Sequence, residues 1–177
     1  MAKVVYKVKD DVSTDTIYPG RFMATVLPAE TPKFAFADDA EFNGRLQRKE
    51  IEPGSVIVAG RNFGCGSSRE QAASCLRGYG LTILARSFAR IFLQNSVNLG
   101  LPTITVPDLQ AGTGDELELL PDKVVNKRTG KEHAVTPLPS ARQAIIDAGG
   151  LIAYTRKRLL EKAAGKKQHQ LRTDTLS

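Results

Sequence analysis

Ser67, Ser68 and Arg69 stand side by side in the run NFGCGSSREQAAS, residues 62–74, with Gly64 and Gly66 just before them. Hydroxyls beside a guanidinium suit one kind of chemistry, in which a small anion is gripped while a proton moves next to it. An arginine fork matches a carboxylate or phosphate through two parallel hydrogen bonds. Gly64 and Gly66 let the backbone take angles closed to other residues and come close to a ligand. A nucleotide phosphate loop would end in Gly-Lys-Ser or Gly-Lys-Thr, which this run lacks, so a small carboxylic acid fits it better.

Glu70 gives the run a second reading. Ser67 and Glu70 have the spacing of a capping box, in which the serine accepts a bond from the helix and the glutamate returns one to the serine backbone. The cap and the anion clamp both fit the local sequence. Arg69 favours the clamp, because a cation in a first helical turn opposes the helix dipole. As a base, Ser67 faces a difficulty of magnitude: a helix N-terminus supplies about 0.3–2 kcal/mol, near one pKa unit, and serine is far from ionised at neutral pH. Adjacent positive charge and a metal from outside the chain would be required, so the run reads as half of an active site. Cys65 could be a nucleophile with a lowered pKa or a small residue packed between glycines. With no histidine near it in sequence, the packing role is preferred. A Ser-His-Asp hydrolase fits less well, since GCGSS is not G-x-S-x-G and His133 falls in an expected hairpin.

These residues need a frame. SVIVAG (55–60), LTILA (81–85) and PTITV (102–106) read as buried strands. Between them, residues 68–76 and 87–98 read as helices, the first apolar at Ala72, Ala73 and Leu76 and ended by Gly78 and Gly80, the second opened by Ser87 and stopped by Gly100. Strand, helix, strand, helix, strand predicts an α/β fold with a mostly parallel sheet covered on both faces. Residues 62–69 then leave the carboxyl end of a strand and enter a helix, where open α/β sheets bind ligands and free N–H groups favour an anion. KVVYKV adds a strand at the start, DDVSTDTIYPG reads as a turn-rich loop, and residues 29–50 as short helices or a mobile flap. GDELELL and KVVNKRTGKEHAV read as a β-meander. A last helix starts near Ser140, pauses at Gly149 and Gly150, and runs on through LIAYTRKRLLEKAAG.

The 177 residues fit a single domain, with a flexible basic tail at about 163–177. Their 41% hydrophobic and 25% charged residues are those of a globular chain, and no apolar run approaches the roughly 20 residues of a membrane helix. MAKVVYKVKDD lacks a secretory core, which points to the cytoplasm and to reduced Cys65 and Cys75. Those two cysteines with His133 and His169 are too few to hold a metal, so no metal site is expected within the chain. The net charge of +6 gathers in Arg156, Lys157, Arg158, Lys162, Lys166, Lys167 and Arg172. Without interleaved aromatics or a recognition motif, this reads as a solvated helix and tail rather than a nucleic-acid surface.

DVSTDTIYPG (11–20), VIVAGRNFGCGSSREQA (56–72), SFARIFLQNSVNLGLP (87–102) and GGLIAYTRKRL (149–159) together resemble the small-subunit family of 3-isopropylmalate dehydratases, the separate swivelling domain of the aconitase superfamily. The resemblance implies a swivelling β/β/α domain with a parallel βαβαβ core and additional β-strands. It also implies a hydro-lyase active only with a large subunit, whose three cysteines hold a four-iron four-sulfur cluster. By the same resemblance Ser67 is the alkoxide base, Arg69 grips a substrate carboxylate and Ser68 supports them. Asp15 sits at the edge of the site; an Asx turn before Pro19 is its alternative use. Substrate choice falls to PGRFMATVLP (19–28), with Arg21, Phe22, Met23, Ala24 and Thr25 where members taking an extra carboxylate place Tyr-Leu-Arg-Thr. An apolar loop disfavours a third carboxylate and suits isopropylmalate. 2,3-Dimethylmalate, a maleate-type diacid and homoaconitate stay open, as does a non-catalytic carboxylate-binding module.

Overall fold

The computed structural model describes the backbone of residues 1–174 and the side chains of residues 1–164. Seven strands form one sheet in the order β4-β3-β2-β1-β5-β6-β7, where β1 is Ala2–Lys7, β2 Val56–Ala59, β3 Thr82–Ala85, β4 Thr103–Thr105, β5 Glu116–Leu119, β6 Lys123–Asn126 and β7 Glu132–Ala134. The four strands from β4 to β1 pair in parallel, while β5, β6 and β7 are antiparallel to their neighbours. Helices α1 (Thr14–Ile17) and α2 (Ala40–Gln47) lie between β1 and β2. Helix α3 (Glu70–Gly78) joins β2 to β3, and α4 (Arg90–Leu99) joins β3 to β4. The mixed α/β architecture and the βαβαβ core agree with the sequence reading.

The parallel strands are covered on both faces, as the sequence pattern predicts, but the second face is covered by the sheet itself, which curls until its two edges meet. Thr136, just past β7, donates its N–H to the Thr105 carbonyl at 2.8 Å. Successive strand residues therefore point into two separate cores. Ile57, Ala59, Ile83 and Ala85 face outward and pack with Phe42, Leu46, Ala72, Ala73, Leu76 and Phe92 of the helices. Val56, Val58 and Leu84 face inward and meet Leu117 and Val124 of the meander, with Leu109 and Ala111 from the loop between. Helices cover one face and the curl covers the other, so the parallel strands read as unbroken apolar runs. Each fully buried Val, Leu or Ile contributes about 1.5–3 kcal/mol.

The connections follow local chemistry. Gly100 ends α4 in the left-handed region at φ 71°, where a Cβ would lie 2.5 Å from the Gly149 carbonyl carbon. That close crossing explains the pause between α5 (Ser140–Asp147) and α6 (Leu151–Asp174). Ser87 does not open α4, which begins at Arg90; its hydroxyl instead accepts the Asn62 N–H at 2.9 Å. DDVSTDTIYPG holds a short helix rather than loop alone, because Ser13 caps α1 by accepting the Thr16 N–H at 3.1 Å. Residues 29–50 form a 3-10 turn, Thr31–Phe34, and then α2. Arg156, Lys157, Arg158 and Lys162 are exposed on α6, as is the apolar stripe Leu151, Ile152, Leu159 and Leu160. Of the flexible basic tail expected at about 163–177, residues 175–177 and all side chains from 165 onward lie outside the described residues.

The meander is pinned by Asp115, which is 2% exposed. Its carboxylate accepts from Gly112 N at 2.9 Å and Asn126 Nδ2 at 2.7 Å, and pairs with the Arg128 guanidinium. The Arg128 bond first, then the Gly112 N–H, hold this carboxyl well below the usual range. A depressed carboxyl stabilises the fold above its unfolded value of about 3.9 and loses that contribution as pH falls. Asp115→Ala is expected to cost about 1–3 kcal/mol at pH 7 by orphaning buried donors. Urea titrations from pH 7 to 3 should show a constant gap from wild type above about pH 5 that narrows below about pH 4.

Candidate active site

Parallel β-pairing continues past the strand ends and fixes the glycine-rich loop from both sides. On one side Gly64 N donates to Val12 O at 2.7 Å and Thr14 N to Cys65 O at 2.7 Å. On the other, Phe63 N donates to Ser87 O at 3.0 Å and Ala89 N to Phe63 O at 2.9 Å. The loop is a frayed extension of the sheet, so Ser67 to Arg69 emerge at a set place above the carboxyl ends of β1 to β3. Gly64, at φ 80°, lies against Phe92 of α4; a Cβ there would fall 2.2 Å from that ring. Phe92 in turn packs edge-on against Phe63 at 5.2 Å and beside Phe88.

Ser67 and Ser68 are exposed, while the Arg69 side chain is only 18% exposed. Arg69, not Ser67, is the N-cap of α3, and no side chain caps the helix. The capping box is therefore not formed. Ser67 lies two residues before the N-cap, and its hydroxyl is 3.2 Å from Thr14 Oγ1. Ser68 contributes its carbonyl to Asn95 Nδ2 of α4 at 3.2 Å. The first turn of α3 keeps its backbone donors open to an anion.

Arg69 joins the loop to the segment after β1. Its Nη1 pairs with Asp15 and reaches Tyr18 O at 3.4 Å. Asp15 also accepts Gly20 N–H at 2.9 Å, so one carboxylate both staples the 15–20 turn and orients the guanidinium. The bond from Arg69 first, then that from Gly20, hold the Asp15 carboxyl below the usual range. Among the described residues, Arg69 Nε is buried with no hydrogen-bond partner. A buried donor left unmatched costs about 1–3 kcal/mol.

Residues 21–25 run alongside. The Gly20 backbone abuts the Arg69 guanidinium. Phe22 stacks on Phe34 with ring centroids 4.0 Å apart, and the Arg21 guanidinium lies 4.6 Å over the Phe22 ring while pairing with Asp38. The buried Tyr18 hydroxyl holds this turn by donating toward Phe22 O, 3.1 Å away, and Thr25 O, 3.3 Å away. Met23 and Ala24 face solvent. The structure thus brings Asp15, Arg69 and the 20–25 turn together, with Ser67 and Ser68 on the adjoining loop.

Two residues escaped the sequence reading. Thr14 sits one place before Asp15 and is 2% exposed, and Asn95 is one of several polar residues on α4. Both lie in stretches that carry the resemblance, Thr14 in 11–20 and Asn95 in 87–102, but their places beside the loop become visible only when the 62–65 ladder is known. Cys65 is partly buried with its backbone bonded to Thr14, and Cys75 is fully buried, which pushes its thiol up. Among the described residues, no three His, Cys, Asp or Glu side chains converge as metal ligands, and no helix is long and apolar enough to cross a membrane.

A curled mixed sheet with an uncapped, glycine-rich loop at its parallel end defines a recognised class of domain: residues 29–109 match the aconitase C-terminal domain family. The chain is 40% identical over 161 residues to the 3-isopropylmalate dehydratase small subunit of Thermodesulfovibrio yellowstonii, covering 88% of this chain and 93% of that one. It is 42% identical to that of Aquifex aeolicus over 163 residues, 89% of this chain and 95% of the other. The crystal structure of 3-isopropylmalate dehydratase from Methanocaldococcus jannaschii superposes with a TM-score of 0.82 at 36% identity, covering 92% and 97% of the two chains. The chain belongs to the family of 3-isopropylmalate dehydratase small subunits.

Gly64→Ala tests the frame. It is expected to destabilise the fold by at least about 1–3 kcal/mol, since alanine at positive φ is strained and its methyl meets Phe92. A thermal melt within error of wild type would show that the loop is not held as described.

Proposed function

We propose that this chain is the small subunit of a hydro-lyase that interconverts 2-isopropylmalate and 3-isopropylmalate, with Ser67 moving the carbon-bound proton. The supporting observation is an exposed Ser67 two residues before an Arg69 that Asp15 holds at an uncapped helix mouth, in a chain so similar to curated small subunits. Arg69 binds a substrate carboxylate, oriented by Asp15, while Ser68 and the open N–H groups of α3 line the same mouth. Ser67 takes the proton from one carbon and returns it to the unsaturated acid, so that water re-enters at the neighbouring carbon.

The described residues do not fit an iron–sulfur cluster. The cluster belongs to a large subunit, where it supplies Lewis acidity toward the departing hydroxyl. Without that subunit the chain is inactive. The 20–25 turn favours an apolar substituent, because Arg21 is engaged by Asp38 and the aromatic pair Phe22 and Phe34 borders it. A third substrate carboxylate would meet no free cation in this turn, at a cost of several kcal/mol if buried. Free thiols at Cys65 and Cys75 suit a reducing compartment such as the cytoplasm.

Anaerobic reconstitution with the large subunit tests this assignment. Isopropylmalate should turn over faster than homoaconitate, 2,3-dimethylmalate or maleate, and exchanging residues 21–26 should redirect that preference. Ser67→Ala is expected to lower kcat by about 10²–10⁴-fold with subunit association intact. Full activity of the reconstituted Ser67→Ala complex would leave the chain as a carboxylate-binding module. Arg69→Met should raise KM by about 10-fold or more, consistent with loss of a charge-assisted bond.

A further inference from the structure

Among the described residues, Ser67 Oγ has a single side-chain hydrogen-bond neighbour, the Thr14 hydroxyl at 3.2 Å. That hydroxyl also lies 3.3 Å from the Ser67 carbonyl oxygen, to which it can donate. It therefore has one proton and two acceptors on the same residue. The β-branched side chain is 2% exposed, and its backbone N–H is bonded to Cys65 O at 2.7 Å, so the oxygen is held where it is. Rotation of its O–H alone exchanges the two acceptors.

We infer that Thr14 is a positioning residue for the reaction, turning its O–H from the Ser67 carbonyl to Ser67 Oγ when the serine ionises. The inference rests on Ser67 being the proton-moving group. The proton balance is simple. Ser67 gives up its own proton through its exposed face to solvent, and Thr14 keeps its proton throughout and only redirects it. When the alkoxide takes the carbon-bound proton, Ser67 is a hydroxyl again and the Thr14 O–H swings back to the carbonyl. A hydroxyl donor to an anionic oxygen is stronger than one to a neutral carbonyl, so the swing favours the ionised serine. It also requires no ordered water, since donor and acceptor are already in place.

A purely structural Thr14, needed only to pack beneath the loop, makes different predictions. Thr14→Val keeps the shape and removes the hydroxyl; Thr14→Ser keeps the hydroxyl. Both are reconstituted with the large subunit, and kcat for isopropylmalate is followed against pH. Thr14→Val is expected to lower kcat at neutral pH by about 10- to 100-fold, with KM within about 3-fold and the acidic limb moved up by about one to two pH units. Thr14→Ser should restore the limb. An unshifted limb in Thr14→Val, or a shift that Thr14→Ser does not reverse, overturns the inference. Should Thr14→Val fail to assemble, Thr14→Ser against Thr14→Ala makes the same comparison at smaller volume. Ser67→Ala in parallel separates the two failures. Wild-type turnover there removes the base itself, whereas loss of turnover there with an unshifted Thr14→Val profile removes only the role of Thr14.

Discussion

The ring of Phe92 fills the space that any side chain at position 64 would need, and the geometry of the site depends on that contact. With glycine there, the chain leaving β2 can stay in backbone register with residues 12–14 and 87–89 for a few residues more. Those bonds are of sheet type although the segment is a loop. They convert a flexible sequence into an extension of the core, and hydroxyls and a guanidinium that would otherwise wander are held above it. Catalytic groups need positions fixed to a fraction of an ångström, which packed elements supply better than free loops.

The curl of the sheet serves the same end. Joining Thr105 to Thr136 gives the strands an interior core on the face away from the helices. All the helices that shape the site can then gather on the outer face: α1 with Asp15, α3 with Arg69 and α4 with Phe92 and Asn95. The carboxyl ends of β1, β2 and β3 converge there. Asp15 spans the junction, bonded at once to the turn that carries Phe22 and to the guanidinium of Arg69. A substitution in the 20–25 turn can thus reach the Arg69 guanidinium through a single carboxylate.

Much of this was legible in the sequence because the signals were physical. The unbroken apolar runs of β2 and β3 and the helix stop at Gly100 identified the core, and the Gly64 to Arg69 run marked the loop that holds the candidate site. Four features were not legible, for identifiable reasons. The capping-box spacing of Ser67 and Glu70 is a local pattern, and it lost to the long-range bonds that place Ser67 outside the helix beside Thr14. Thr14 itself is 53 residues from its partner, so no window of sequence joins them. The closure of the sheet likewise rests on one backbone bond between distant threonines, which strand periodicity cannot report. Ser87 carried a sound helix-start signal and was used instead to hold Asn62.

The central claim is that a serine on this chain moves the carbon-bound proton in a site completed by another subunit. Its most direct measurement is deuterium incorporation from heavy water while the reconstituted complex hydrates the unsaturated acid. The wild-type complex should place deuterium on the product carbon, and a Ser67→Ala complex of equal assembly should place none above the uncatalysed background. Incorporation at the wild-type rate in the Ser67→Ala complex would contradict the claim.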